Sequence, residues 1–136
     1  MKKIYTLVLL ALATFSVNAQ DEALKPVEGP RIMFEKQVHD YGQIQQGADG
    51  NCEFVFTNVG TEPLVLQNVN ATCGCTVPSW PREPIMPGEK GTIRVRYDTH
   101  RLGNIGKAIT VTSNSVGDNS NRITLRITGH VNPAQN

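Results

Sequence analysis

An excess of charge of either sign is missing from this sequence. Its 136 residues carry 13 Lys and Arg against 12 Asp and Glu. That balance gives no electrostatic reason to expect nucleic acid or an anionic membrane as partner. Hydrolase signatures are missing as well: there is no Gly-x-Ser-x-Gly and no His-Glu-x-x-His. The acidic residues form no spaced pair that nominates glycosidase carboxylates. His39-Asp40 are neighbours on an extended segment, where successive side chains face opposite sides, and His39, His100 and His130 read as surface or turn residues. Hydrolysis is therefore a distant third among the functions considered. Methionine beyond the N-terminus is limited to Met33 and Met86, and cysteine to Cys52, Cys73 and Cys75. Three cysteines cannot all pair with one another.

The N-terminus has a layout of its own. Lys2-Lys3 precede a mostly apolar run over 4–17, and Val17-Asn18-Ala19 places small residues before Gln20. This is the three-part pattern of a secretory signal peptide over 1–19. The run is shorter than the roughly 20 residues a membrane span needs, and no cysteine follows the cleavage point to carry a lipid. The expectation is a periplasmic or secreted protein with no membrane insertion after cleavage. Without residues 1–19 the chain has 117 residues and, having lost Lys2 and Lys3, 11 basic against 12 acidic side chains, a formal charge of −1. Residues 20–30, with Pro26, Gly29 and Pro30, read as a flexible leader, and 132–136 as a tail. What lies between, 31–131, suffices for one core and one domain.

That domain lacks a sustained helical period. Period-2 alternation recurs instead, broken by Gly, Pro and Asn at short intervals. Strands are expected at 31–36, 38–44, 51–58, 64–70, 91–98, 105–113 and 122–131. Cys52, Phe54 and Phe56 share a face, as do Leu64 and Leu66, Ile93, Val95 and Tyr97, Ile109 and Val111, and Ile123, Leu125 and Ile127. Each strand buries one side, so two sheets must cover each other. About seven strands in such a length define an all-β, immunoglobulin-like β-sandwich. The Cys…Trp…Cys framework of antibody domains is absent, and Trp80 falls in an expected loop over 78–87.

Several motifs occur in a telling order: Asp40-Tyr41-Gly42-Gln43-Ile44, Phe54-Val55-Phe56-Thr57-Asn58-Val59-Gly60, Pro63-Leu64-Val65-Leu66, Cys73-Gly74-Cys75-Thr76, Pro84-Ile85-Met86-Pro87-Gly88-Glu89 and Ile109-Thr110-Val111-Thr112-Ser113-Asn114. In these the chain resembles the DUF1573 family of bacterial exported domains over roughly 32–131. The wider relatives are similar to major-sperm-protein-like (ASH) domains, which are binding and scaffolding modules. The resemblance implies a β-sandwich and interaction rather than catalysis, and it carries over no catalytic residues.

The cysteines hold the chemistry. In an extended strand Cys73 and Cys75 share a face with Cα atoms roughly 6.6 Å apart, at the outer edge of the disulfide range of about 4.4–6.8 Å. Gly74 lets the chain tighten, and a strained bridge is the kind that is easily reduced. Three single bridges are open: Cys73–Cys75, Cys52–Cys73 and Cys52–Cys75. Cys52, in phase with two phenylalanines, reads as a buried thiol. Two thiolates on one face also suit a soft ion such as copper(I), or part of a zinc site. No spacing ties Cys52, His39, His100 or His130 to the pair as further ligands, so no cofactor is expected and copper is the alternative.

Other candidates are weaker. Arg94, Arg96, Arg122 and Arg126 project outward as either a basic patch or two solvated strand faces, the second being the commoner arrangement. Trp80, held stiffly between Pro78 and Pro81, is either a binding hot spot or a lid on the open end of the sandwich. Asn70-Ala71-Thr72 matches a glycosylation pattern, which carries little weight because the family resemblance is to bacterial proteins. The function expected from the sequence is an exported, non-catalytic module that contacts a protein or cell-envelope partner through 73–87. The alternative is a thiol-based redox or soft-metal site at Cys73 and Cys75.

Overall fold

The computed structural model describes residues 28–117 and 120–135. The expected signal peptide and most of the expected leader lie outside the described residues. Eight strands follow in order: β1 (Ile32–Phe34), β2 (Val38–Gln45), β3 (Asn51–Asn58), β4 (Leu66–Ala71), β5 (Thr76–Ser79), β6 (Lys90–Tyr97), β7 (Gly103–Ser113) and β8 (Arg122–Asn132). They form two four-stranded sheets, ordered β1-β3-β6-β5 and β2-β8-β7-β4.

Alternation explains which face each strand buries. Phe54, Phe56 and Ile93 from the first sheet are fully buried, as are Ile109, Leu125 and Ile127 from the second. Each such side chain contributes about 1.5–3 kcal/mol relative to an exposed position. The intervening residues face solvent, so each sheet has one wet side. All neighbouring strands are antiparallel except β2 and β8, which run parallel with a register shift between Asp40 and Gln43.

Two chain segments change sheets. Residues 35–37 carry the chain from β1 to β2: the Glu35 amide still bonds the Val55 carbonyl at 3.0 Å, whereas the Gln37 carbonyl already accepts from Arg126 at 2.8 Å. Residues 72–75 carry it from β4 to β5. There the Thr72 amide bonds the Ala108 carbonyl on β7 at 3.1 Å, and the Cys75 carbonyl accepts from Asp98, just past β6, at 2.8 Å.

Four details differ from the sequence expectation. The extra strand, β5, is four residues long and contains Pro78, which is tolerated because β5 is an edge strand. Leu64 precedes its strand and forms an isolated bridge with Ile85, each amide bonding the other's carbonyl at 2.8 Å. The end of the leader is docked: Gly29 and Pro30 are buried, the Gly29 carbonyl accepts from the Thr61 amide at 2.8 Å, and the Pro30 carbonyl from Val116 at 2.8 Å. Asn132, assigned to the tail, completes β8 and accepts from the Gln46 amide at 2.8 Å.

Candidate functional site at the Cys-Gly-Cys corner

Cys73-Gly74-Cys75 is the corner between the edge of one sheet and the edge of the other, not part of an extended strand. A turn closes it, with the Thr76 amide bonding the Cys73 carbonyl at 3.3 Å. The cysteine Cα atoms are thereby 5.3 Å apart, inside the disulfide range rather than at its edge, and the two sulfurs lie at bonding distance. The same-face geometry of an extended segment does not apply. Of the three bridges open to the sequence, the structure brings together only this one.

Cys52 stays apart as a free thiol, 6% exposed, beside Phe54 and Phe56 on the inner face of β3. Burial pushes its thiol pKa up, an effect partly offset by the Tyr41 hydroxyl. Tyr41 itself is pushed above its ordinary range by burial and by Cys52, and its hydroxyl donates to the Gly50 carbonyl at 2.7 Å.

An open cleft of about 480 Å³ adjoins the corner. Its floor is a cross-strand row on the outer face of the first sheet, where Asn51 on β3 and Val77 on β5 both stand opposite Arg96 on β6. Its rim comes from three connections: 47–50, the Gly74-Cys75 turn and 98–100. Asp49, Asp98 and His100 stand on that rim. The backbone and side-chain amides of Asn51 hold the Asp49 carboxyl below its usual range, with Arg96 adding to the effect. Arg94 pairs with Glu53 at 3.3 Å, but among the described residues Arg96 makes no ion pair.

Trp80 is half-buried against the core, with the Arg82 guanidinium 3.7 Å above its ring. Its indole Nε1 is buried without a hydrogen-bond partner among the described residues. Pro78 lies within β5, and Pro81 follows Trp80. The four arginines do not gather: Arg94 and Arg96 are on β6, and Arg122 and Arg126 on β8 of the other sheet. The outward sides of two packed sheets face opposite ways, so a single basic patch cannot form. His39 belongs elsewhere, accepting a hydrogen bond from Lys36 Nζ at 2.9 Å. Cys75 and His100 reach one cleft, yet among the described residues no group of three or more His, Cys, Asp and Glu is placed to hold a metal ion.

Sequence reasoning nominated the cysteines but missed Arg96 as the centre of a cleft, with Asp49, Asp98 and His100 around it. The available signal was Asp49-Gly50-Asn51, a turn sequence leading into a strand, combined with recognition of β5. Among the described residues no helix is long and apolar enough to cross a membrane.

The architecture is that of an immunoglobulin-like β-sandwich of two four-stranded sheets. The chain belongs to the DUF1573 family, "Protein of unknown function (DUF1573)", whose model matches residues 32–131. No curated protein matches it. Among solved structures it is similar to a protein of unknown function from Porphyromonas gingivalis W83, with 19% identity and a TM-score of 0.66. That match covers 79% of this chain and 50% of the other. The ASH / PapD-like domain 7 of human CEP192 matches at 12% identity and TM-score 0.61, over 82% of this chain and 94% of that one. The Vibrio cholerae VesB protease matches at 17% identity and TM-score 0.61, over 74% of this chain but only 32% of the protease. This chain thus spans half the length of the first of these proteins and about a third of the protease. At such identities the likeness is one of fold.

Proposed function

We propose that this chain is an exported, non-catalytic binding module that docks a protein partner on the Cys73–Pro87 segment and the adjoining cleft. The observation that carries this reading is the row Asn51, Arg96 and Val77. It sets a guanidinium that pairs with no carboxylate among the described residues beside a valine that is 60% exposed, on the floor of an open cleft. Arg is enriched at the centres of protein interfaces, where its fork and its apolar stem both make contacts. Met86, 49% exposed, adds apolar surface to the same segment, and β5 leaves one backbone edge unpaired for an added strand. Export rests on the signal-like layout of residues 1–19.

The test is photo-crosslinking from single positions in cells that make the full chain. A crosslinker replacing Val77 or Ser79 is expected to give discrete protein adducts in the envelope fraction. The same crosslinker at Arg122 or Arg126, on the opposite sheet, is expected to give none. Adducts only from the β8 positions, or from neither pair, would refute the docking surface. Sequencing the mature N-terminus checks export separately, with Gln20 the expected first residue.

A further inference from the structure

We propose that Cys73 and Cys75 form a thiol–disulfide exchange centre that accepts electrons from a dithiol on another molecule. This function lies beyond the docking reading and uses the same corner, but it does not require that reading to be right.

The corner does not need a bridge to hold its shape. Only Gly74 separates the two cysteines, so a bridge removes little freedom from the unfolded chain. Backbone bonds already fix both sides of the turn, from Thr72 to Ala108, from Thr76 to Cys73 and from Asp98 to Cys75. Gly74 itself is not demanded by the fold. Its φ is not among the left-handed glycine values, and a Cβ built on it would meet nothing within 4 Å. A glycine free of steric and backbone demands leaves room for another molecule to approach closely. Here it adjoins Cys73, which is only half-buried.

Each sulfur also has a polar group in position for the thiolate it becomes. The Cys75 amide is 3.3 Å from Cys73 Sγ and oriented to donate to it. The Thr76 hydroxyl is 3.8 Å from Cys75 Sγ. Cys75 and Arg96 line the same cleft, and a guanidinium on that cleft favours a thiolate as leaving group. Cys73 is half-buried and Cys75 only 8% exposed, which marks Cys73 as the sulfur attacked.

The step balances. A thiolate of the dithiol attacks Cys73 Sγ, the bond to Cys75 breaks, and Cys75 leaves with the electron pair as a thiolate. The second thiol of the donor then attacks its own sulfur in the mixed disulfide and releases Cys73. The donor ends as a disulfide, Cys73 and Cys75 end reduced, and the two thiol protons of the donor are passed to them through solvent. Cys52 takes no part, being buried with its pKa raised.

The test follows reduction of the oxidised, full-length protein by dithiothreitol, with alkylation and intact mass against time and circular dichroism in parallel. Reduction of the pair with the β signal unchanged is expected. Gly74→Val, which adds bulk between the two cysteines, is expected to slow the rate by about tenfold by restricting access, with the same urea midpoint. Arg96→Gln, on the outer face, is expected to slow it too. Should the valine variant misfold, Gly74→Ala and Arg96→Gln carry the comparison. Reduction only as the protein unfolds, or equal rates in the parent and every folded variant, would overturn the proposal. Either result would leave the crosslinking pattern of the docking reading untouched.

Discussion

The side chain of Asn58 donates to the carbonyl of Ile85 at 2.9 Å, joining the end of β3 to the segment that precedes β6. Its amide also donates to the Glu62 carbonyl at 2.7 Å, and its oxygen accepts from the amides of Gly60 at 2.9 Å and Arg31 at 3.3 Å. Asn58 is fully buried, so its full hydrogen-bonding capacity is spent on backbone. Truncation would leave several of those groups without a partner at a buried site. Asn58→Ala is expected to cost roughly 3 kcal/mol, read as a lower urea midpoint at unchanged m-value. Asn58→Asp is expected to cost at least as much at neutral pH, because a carboxylate would face two carbonyl oxygens.

Gly50 holds two connections of the cleft together. Its carbonyl accepts from both the Tyr41 hydroxyl at 2.7 Å and the Tyr97 amide at 2.9 Å, and a Cβ here would collide with the Tyr97 carbonyl. Backbone on backbone has no flexible end to yield. Gly50→Ala is expected to destabilise the protein by about 3 kcal/mol through overpacking. It should also broaden the amide NMR signals of 47–51 and 97–100 together, since both rims must shift. A change confined to one rim would show that the close approach is not what couples them.

How much of this was legible beforehand depended on the range of the contacts. Cys52, Phe54 and Phe56, like Ile93, Val95 and Tyr97, announce their buried face through strict alternation, because a half-buried strand imposes a period of two on its own residues. β5 imposes no such pattern: four residues with Pro78 among them are too few to alternate, and its strand character comes from pairing with β6. Without β5, Val77 has no place opposite Arg96, and the cleft has no floor. Strand geometry alone sets the expected cysteine spacing, whereas the change of sheet at Cys73–Cys75 is a tertiary event that bends the chain. Asn58 closes β3 as expected, but its bond to Ile85 spans 27 positions and leaves no local trace.

His39 makes stability depend on pH. Burial and the neighbouring Lys36 charge lower its pKa below 6.5, and Asp40 only partly opposes them. Its ring packs edge-on against Tyr41 and accepts a hydrogen bond from Lys36, so the folded state favours the neutral imidazole. A lowered folded pKa means that the unfolded chain binds the proton more readily, and stability falls as pH drops through 6.5 toward the folded value. The urea midpoint of the parent protein is expected to decline over that interval. His39→Gln should show a flatter profile there, and an identical slope in both proteins would exclude His39 as the source.

Trp80 separates a packing role from a hydrogen-bonding one. Its ring lies on the core and carries the Arg82 guanidinium, but its buried Nε1 donates to no described residue. An unpaired buried donor costs about 1–3 kcal/mol. Trp80→Phe removes the donor and keeps an aromatic face for Arg82, so it is expected to leave stability unchanged or raise it despite the smaller ring. Trp80→Ala removes the packing as well and is expected to cost about 3 kcal/mol, reduced in proportion to the part of the ring that is already exposed. If Trp80→Phe is instead as damaging as Trp80→Ala, then Nε1 has a partner in solution. That result would make the indole N–H, rather than the ring face, the group that orders the segment after β5.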